Sequence, residues 1–372
     1  MYITLFKTTK EKPANNIMDF LSKFAAFENP TPQKITKRIT ANISETQAES
    51  FYNKHRSSTH RIIPRGVIDN ISEHYSTFKI PKKTGGMREI CAPDETLKYL
   101  QYNLLNYFQN NLHILEHDAA FAYVPKKSTV KAVTKHQNNK SKWFLKIDLK
   151  DFFPSHNKAY IIRQLEKVYP TGVLLKKEGY KEALSEALDL CLLNDSLPQG
   201  TPISPYLTNI CMVPVDYKIE HMLWNLKSNF TYTRYADDMI ISSPYKFDYQ
   251  MVLKEVQRIF DEEKCPFRIN KDKVHFGSSS GRNWILGIML NKDNRKTIGH
   301  KKNQKLRAAI FQLCSDYINK PDEFYFLWPY QRRAQLSGLI SYYKSIDPEY
   351  TKLIIGRYQR KFHVNIKPLL AN

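Results

Sequence analysis

The stretch "FTYTRYADDMIIS", residues 230 to 242, decides how this chain is read. Two β-rich runs flank Ala236, Asp237 and Asp238, which predicts a β-hairpin with two adjacent carboxylates at its tip. Like charges side by side raise the cost of ionising each other. A divalent cation between them reverses that logic and keeps both ionised. Two such ions clamping an in-line phosphoryl displacement sit roughly 3.5 to 4 Å apart and need carboxylates from more than one segment. A third aspartate is therefore expected on a neighbouring strand. The stretch "KWFLKIDLKDFF", residues 142 to 153, reads as a strand that breaks into a turn at Pro154 and carries Asp148 at its apolar end, with Asp151 as the local competitor. A single Asp is more often a turn former or a helix cap than a catalyst. Two acid-bearing strands together with a basic hairpin shift that balance.

At 372 residues the chain exceeds what one hydrophobic core usually holds, so two to four packed subdomains are expected. With 42% hydrophobic residues, 13% aromatics and only 12 glycines, it is neither disordered nor of low complexity. The formal net charge of +21 calls for a polyanionic partner, nucleic acid first and an anionic membrane second. Tyr and Phe interleave with the basic residues in "RRAQLSGLISYYKSIDPEY" (332–350) and "IGRYQRKFH" (355–363), which suits phosphate neutralisation with base stacking. A solvated cationic face explains any one of these clusters equally well. No run reaches the roughly 18 apolar residues that cross a bilayer, and "MYITLFKTTKEKPANN" lacks a signal-peptide core, so a cytoplasmic location without membrane contact is expected. The five cysteines, Cys91, Cys191, Cys211, Cys265 and Cys314, form no C-x-x-C pair and read as reduced, buried thiols.

Along the chain, residues 1–70 read as polar and helical, with helix-period apolar positions in "NIMDFLSKFAAF" (16–27) and a Ser44 cap opening "ISETQAESFYNKH" (43–55). "YSTFKI" (75–80) and "REICA" (88–92), joined by "PKKTGGM", form a basic hairpin. "DETLKYLQYNLLNYFQNNL" (94–112) is an amphipathic helix capped by Asp94 or Thr96, with Leu97, Leu100, Leu104 and Leu105 on one face. A mostly helical passage spans 157–194. The helix "YQMVLKEVQRIFDEEK" (249–264), the strands "VHFG" (274–277) and "WILGIMLN" (284–291), and a helical, basic remainder from about 301 complete the pattern.

Read together, "FLKIDLKDFFPS" (144–155), "LPQGTPISPYLTNI" (197–210) and "FTYTRYADDMIIS" resemble, in order and spacing, the A, B and C motifs of reverse transcriptases. "PKKTGGMREICAP" (81–93) resembles the fingers motif that precedes them, and "INKDKVHF" (269–276) and "WILGIMLNKDNRKTIG" (284–299) the D and E segments of the bacterial, non-retroviral branch, which includes retron, group II intron and phage-defence enzymes. The resemblance covers roughly residues 71 to 345. It implies an α+β right-hand polymerase fold: an N-terminal helical extension (1–70), fingers and palm (71–300, the palm mainly 142–156 and 197–300, with an antiparallel sheet) and a basic helical thumb (301–372).

The same resemblance implies the site. Asp148, Asp237 and Asp238 would hold two Mg²⁺ ions, with Mn²⁺ as a substitute and Leu149 lending its carbonyl. Phe153 would be the steric gate against a ribose 2′-OH, and Phe152 a core residue because alternate strand residues face opposite ways. Lys82, or Lys83 one residue on, and Arg88 would grip the triphosphate. Gln199 would bond near the sugar 3′-OH of the nucleotide, and Gly200 would let the backbone approach the template pair. Lys273 would be the general acid for the pyrophosphate leaving group, with Lys271 nearby. Ala236 would leave room for the primer terminus, and Tyr235 would pack beneath the primer strand or serve simply as a β-former.

Two features depart from the relatives. Retron enzymes carry an Asn-Ala-x-x-His element and a Val-Thr-Gly triplet; here "KAVTKH" (131–136) has Lys131 for the Asn with His136 shifted by one, and residues 285–287 read Ile-Leu-Gly. Retron membership is left open by the motifs. Pro214 falls inside what the family makes one long helix, where it removes a bond to the Ile210 carbonyl, so a kink is expected. A maturase, endonuclease, RNase H or integrase region after the thumb is not expected. The implied activity is RNA-directed DNA synthesis from an RNA template, a DNA or RNA primer and dNTPs, with a role in anti-phage defence, a cognate non-coding RNA and a partner or effector protein as further expectations. An idle nucleic-acid-binding scaffold and untemplated or protein-primed synthesis, for which 23 tyrosines supply hydroxyls, stand as the alternatives.

Overall fold

The computed structural model describes residues 67, 69–81, 85–111, 114, 116–176, 179–279 and 284–370. The helices expected in 16–27 and 43–55, and the lysines Lys82 and Lys83, lie outside the described residues. In chain order, β1 (Tyr75–Pro81) and β2 (Met87–Pro93) are followed by helix α1 (Glu95–Asn106), α2 (Thr129–Asn138), β3 (Trp143–Lys150) and α3 (Lys158–Leu165). Then come α4 (Ser204–Cys211), α5 (Val213–Asn225), β4 (Thr231–Tyr235), β5 (Asp238–Ser243), α6 (Tyr249–Glu262) and β6 (Arg268–Ile269). The strands β7 (His275–Ser278), β8 (Trp284–Ile285), β9 (Ile288–Leu290) and β10 (Lys296–Thr297) lead into α7 (His300–Asn319), α8 (Tyr330–Ile346) and α9 (Pro348–Phe362). The chain divides into two compact units, one of Met1–His117, Asp151–Asp216 and Glu262–Arg268, the other of Asp118–Lys150, Tyr217–Asp261 and Ile269–Asn372.

In the first unit, β1 and β2 pair antiparallel from Tyr75 opposite Pro93 to Pro81 opposite Met87, as the sequence predicts. Gly85 and Gly86 both have positive φ, 90° and 80°, the conformation that glycine adopts without a Cβ penalty. Asp94, not Thr96, caps α1: its Oδ1 accepts from the Leu97 N–H at 2.8 Å. Leu97, Leu100 and Leu104 are buried along that helix, whereas Leu105 is only partly so. A second core forms around Phe152, whose ring meets His156, Phe267 and Phe153 edge-on. Phe152 is buried and Phe153 half-buried, but strand alternation is not the reason, since residues 151–155 form a turn in which Asp151 has φ 50°. The long helix around Pro214 is interrupted at Met212, between α4 and α5. Pro214 has no N–H to give the Ile210 carbonyl, which accounts for a break at this place.

In the second unit the main sheet runs β4-β5-β3-β6, with β7 also on β3. β3 is antiparallel to β5 along Trp143–Asp148 and to β7 along Trp143–Lys146 only. A smaller antiparallel sheet orders β10-β9-β8. One apolar cluster runs from Phe144 and Ile240 of the main sheet through Ile285, Ile288 and Leu290 to Leu306, Ile310, Leu336, Ile340 and Ile354 of the C-terminal helices. The sheet and the basic helices thus share one core within this unit.

His136 on α2 is fully buried among these elements, and its ring nitrogens lie 2.6 Å from Ser242 Oγ on β5 and 2.8 Å from Thr233 Oγ1 on β4. Burial, with Lys135 adding a smaller effect, pushes its pKa from the ordinary 6.5 down to about 3. Between those values the unfolded chain binds a proton that the folded site refuses, so stability rises with pH there. His136 should therefore contribute a loss of up to about 1.4 kcal/mol per pH unit as pH falls below 6.5. Urea unfolding at pH 7.5 and 5.5 should show it, and His136→Ala should lower stability at pH 7.5 by about 2 to 4 kcal/mol and flatten that pH slope. An unchanged slope in the variant would mean that another group carries the dependence.

Candidate active site

The sheet register brings the acids together. Asp148 stands opposite Asp238 as the last pair of β3 and β5, and Tyr235 stands opposite Asp238 as the last pair of β4 and β5. The hairpin loop is therefore the dipeptide Ala236-Asp237, and the Leu149 N–H donates to the Asp237 carbonyl at 3.1 Å, closing the loop onto β3. Two-residue hairpin loops require positive φ. Ala236 supplies it at 56°, a conformation that costs an L-residue roughly 1 to 2 kcal/mol.

A residue that sequence reasoning missed supports this loop. Arg234 is fully buried and its Nη1 donates to the Ala236 carbonyl at 3.4 Å. Its backbone N–H donates to the Ala119 carbonyl at 2.6 Å, and its carbonyl accepts from the Phe121 N–H at 2.8 Å. A buried guanidinium must be bonded to be tolerated. The available signal was an Arg inside an otherwise uncharged β run next to the acid pair.

On the other side of β3, β7 reaches only as far as Lys146, and the turn at residues 270–273 faces the remaining stretch. The Asn270 N–H donates to the Asp148 carbonyl at 2.8 Å and its Nδ2 to Asp148 Oδ2 at 3.1 Å. Lys273 Nζ donates to both Asp148 carboxylate oxygens, at 3.0 and 3.1 Å. The predicted general acid is thus placed on the predicted metal ligand. Lys146, whose pKa burial lowers, donates its Nζ to the Trp284 carbonyl.

The electrostatics of the acids leave a charge deficit. The Asp238 carboxyl, exposed at the start of β5 yet crowded by protein on one side, is pushed up to about 6, first because that protein displaces part of its water, then because Asp237 and Asp148 repel it; Lys273 and Lys146 pull it back only in part. An oxygen-only, mutually repelling donor set fits a hard divalent cation. Among the described residues no group of three or more His, Cys, Asp or Glu side chains is placed to hold a metal ion by itself. Magnesium sites commonly rely on one or two carboxylates plus water and substrate phosphates, so an open donor set remains compatible with that metal. Asp151, the competitor, is exposed in the turn after β3, its carbonyl accepting from the Ser155 N–H at 2.9 Å, which is a turn former's place.

The other predicted residues belong to the first unit. Arg88 is exposed on β2 opposite Ile80. The Gln199 carbonyl accepts from the Cys91 N–H at 2.7 Å, which ties the "LPQG" loop to the hairpin. Gly200 has φ 112°, and a Cβ there would meet Ile90 Cγ2 at 2.7 Å and the Cys91 carbonyl oxygen at 3.0 Å, so only glycine fits. All five cysteines are unpaired and four of them buried, as expected of reduced thiols. Among the described residues no helix is long and apolar enough to cross a membrane.

The profile of the family described as reverse transcriptase (RNA-dependent DNA polymerase) matches residues 80–315. The retron Ec73 reverse transcriptase of Escherichia coli is 34% identical over 294 residues, covering 78% of this chain and 87% of the relative. The retron Ec83 enzyme of the same species is 26% identical over 302 residues, covering 79% and 90%. A solved telomerase structure from Candida albicans is 12% identical with a TM-score of 0.47, covering 87% of this chain and 69% of that one. The chain belongs to the reverse transcriptase family, as an RNA-directed DNA polymerase of the retron type. The departures at Lys131 and residues 285–287, which left that branch open, are outweighed by similarity over more than three quarters of the chain.

Because the acids repel one another, Asp238→Asn should raise the melting temperature of metal-free protein by about 1 to 3 °C while reducing the further rise that added Mg²⁺ produces. Differential scanning calorimetry with chelator and then with Mg²⁺ reads both effects; a lower melting temperature in chelator would show that the acids do not repel.

Proposed function

We propose that Asp148, Asp237 and Asp238 hold two divalent ions, Mg²⁺ or in its place Mn²⁺, and that this site copies an RNA template into DNA from a DNA or RNA primer and dNTPs. The observation that carries this reading is the closure of the hairpin on β3, with Asp148 opposite Asp238 and the Leu149 N–H on the Asp237 carbonyl. When bound, the metal ions activate the primer 3′-OH and neutralise charge on the phosphates. The protein's own part is positioning. Arg234 and Leu149 hold the loop that carries Asp237, and the small Ala236 leaves room for the primer end, with Tyr235 packed beneath it. Leu149 offers its carbonyl as a further metal ligand.

In this reading Arg88 and Lys82 bind the triphosphate, Gln199 meets the sugar and Gly200 admits the template pair. Phe153 fills the space of a 2′-OH. The ammonium of Lys273, half-exposed beside Asp148, gives its proton to the departing pyrophosphate. Residues 1–70 act as an N-terminal extension, 71–300 as fingers and palm, and 301–372 as a thumb. The net charge of +21 supports binding to RNA, with a cognate non-coding RNA as a further partner. Resemblance to phage-defence enzymes supports a cytoplasmic role in anti-phage defence, with an effector protein as partner.

Primer extension on an RNA template tests the core of this. Replacing Asp237 and Asp238 together by Ala should lower the rate roughly a thousandfold or more. Retained Mg²⁺-dependent synthesis in that variant would defeat the assignment. With the same assay, Phe153→Val should relax discrimination against ribonucleotides by at least about tenfold, and unchanged selectivity would remove Phe153 from the gate.

A further inference from the structure

Asn270 occupies the N-cap position of the 3₁₀ turn Lys271–Lys273, yet its side chain makes no capping bond to that turn. An Asn at such a position ordinarily accepts from a backbone N–H two or three residues on. Here the carboxamide is turned to Asp148 instead, with Nδ2 on Oδ2 at 3.1 Å, while the Asn270 backbone N–H holds the Asp148 carbonyl at 2.8 Å. The turn is closed without the side chain, by the Lys273 N–H on the Asn270 carbonyl at 3.0 Å. One residue thus grips both the main chain and the carboxylate of Asp148, from the side of β3 that β7 leaves uncovered.

We infer that Asn270 is a positioning residue that fixes the rotamer of Asp148 for metal binding. This rests on the assignment of Asp148 as a metal ligand. The chemistry of the donor makes the choice of Asn specific. Lys273 also bonds the Asp148 oxygens, but an ammonium beside a carboxylate competes with a divalent cation by charge. A carboxamide donates without charge, and a carboxylate offers about four lone-pair sites of which one amide N–H takes a single one. Asn270 can stay in place while Asp148 accepts a metal. Partners that orient a ligating carboxylate in this way are typically worth about ten- to a hundredfold in metal affinity or activity.

Three variants of the full chain test the inference: Asn270→Leu, which keeps the size and the backbone N–H but removes the donor; Asn270→Gln, which keeps the amide on a longer arm; and Asp148→Asn. Mn²⁺ binding is read by electron paramagnetic resonance without substrate, and the Mg²⁺ concentration for half-maximal primer extension is read separately. Asn270→Leu should bind Mn²⁺ about tenfold more weakly and need correspondingly more Mg²⁺, with the dNTP KM at saturating Mg²⁺ within about twofold of wild type. Asn270→Gln should recover part of the loss. Wild-type Mn²⁺ binding in a folded Asn270→Leu protein, or an Asn270→Gln protein as impaired as Asn270→Leu, overturns the role of the amide. If Asp148→Asn abolishes binding while Asn270→Leu leaves it intact, only the positioning role fails. If Asp148→Asn itself binds Mn²⁺ normally, the ligand assignment fails and the positioning role with it.

Discussion

The pairing of β3 with β5 is the constraint on which the rest depends. Its register sets Asp148 opposite Asp238 and leaves Asp237 in a two-residue loop, so three carboxylates share one end of one sheet. A slip by one residue would send each side chain to the opposite face. The structure spends several devices on preventing that. The buried Arg234 holds the loop carbonyl, the Leu149 N–H closes the loop on β3, and His136 ties β4 to β5 through Thr233 and Ser242. Each of these lies where a polar group is expensive to bury unless it is bonded. Their combined effect is to hold mutually repelling acids at one end of the sheet.

The apolar cluster around the sheet serves the same end. Because Phe144 and Ile240 lie in one continuous core with the small β8–β10 sheet and the C-terminal helices, β3 and β5 are each anchored to that core at one residue. Lys146 adds a polar tie from β3 to the Trp284 carbonyl on β8. In the loop itself the strained residue is the small Ala236, with φ 56°.

Much of this was legible in the sequence because it depends on local pattern. The alternation and turn chemistry around residues 230–242, the Gly85-Gly86 turn and the apolar strand ending at Asp148 each announce a strand or hairpin without tertiary information. Pro214 announced a kink for the same reason, and the helix is interrupted there at Met212. What stayed hidden depends on contacts between segments far apart in the chain. Asn270 looks like any loop Asn until β7 is seen to end at Lys146, and His136 reads as a displaced motif residue until its ring is found between two hydroxyl-bearing strands. Phe152 is the core residue expected of it, but the expectation rested on strand alternation that residues in a turn do not obey. The retron branch was hidden differently, since two short motif departures weighed against it and only similarity along most of the chain reversed them.

The central claim is that three acids remote in sequence share bound metal. Anomalous diffraction from crystals of the protein with Mn²⁺, a primer–template and an unreactive nucleotide tests it most directly. The account predicts manganese peaks within coordination distance of Asp148 and of the Asp237-Asp238 pair. Manganese bound elsewhere, with these carboxylates left to protein and water partners alone, would contradict it.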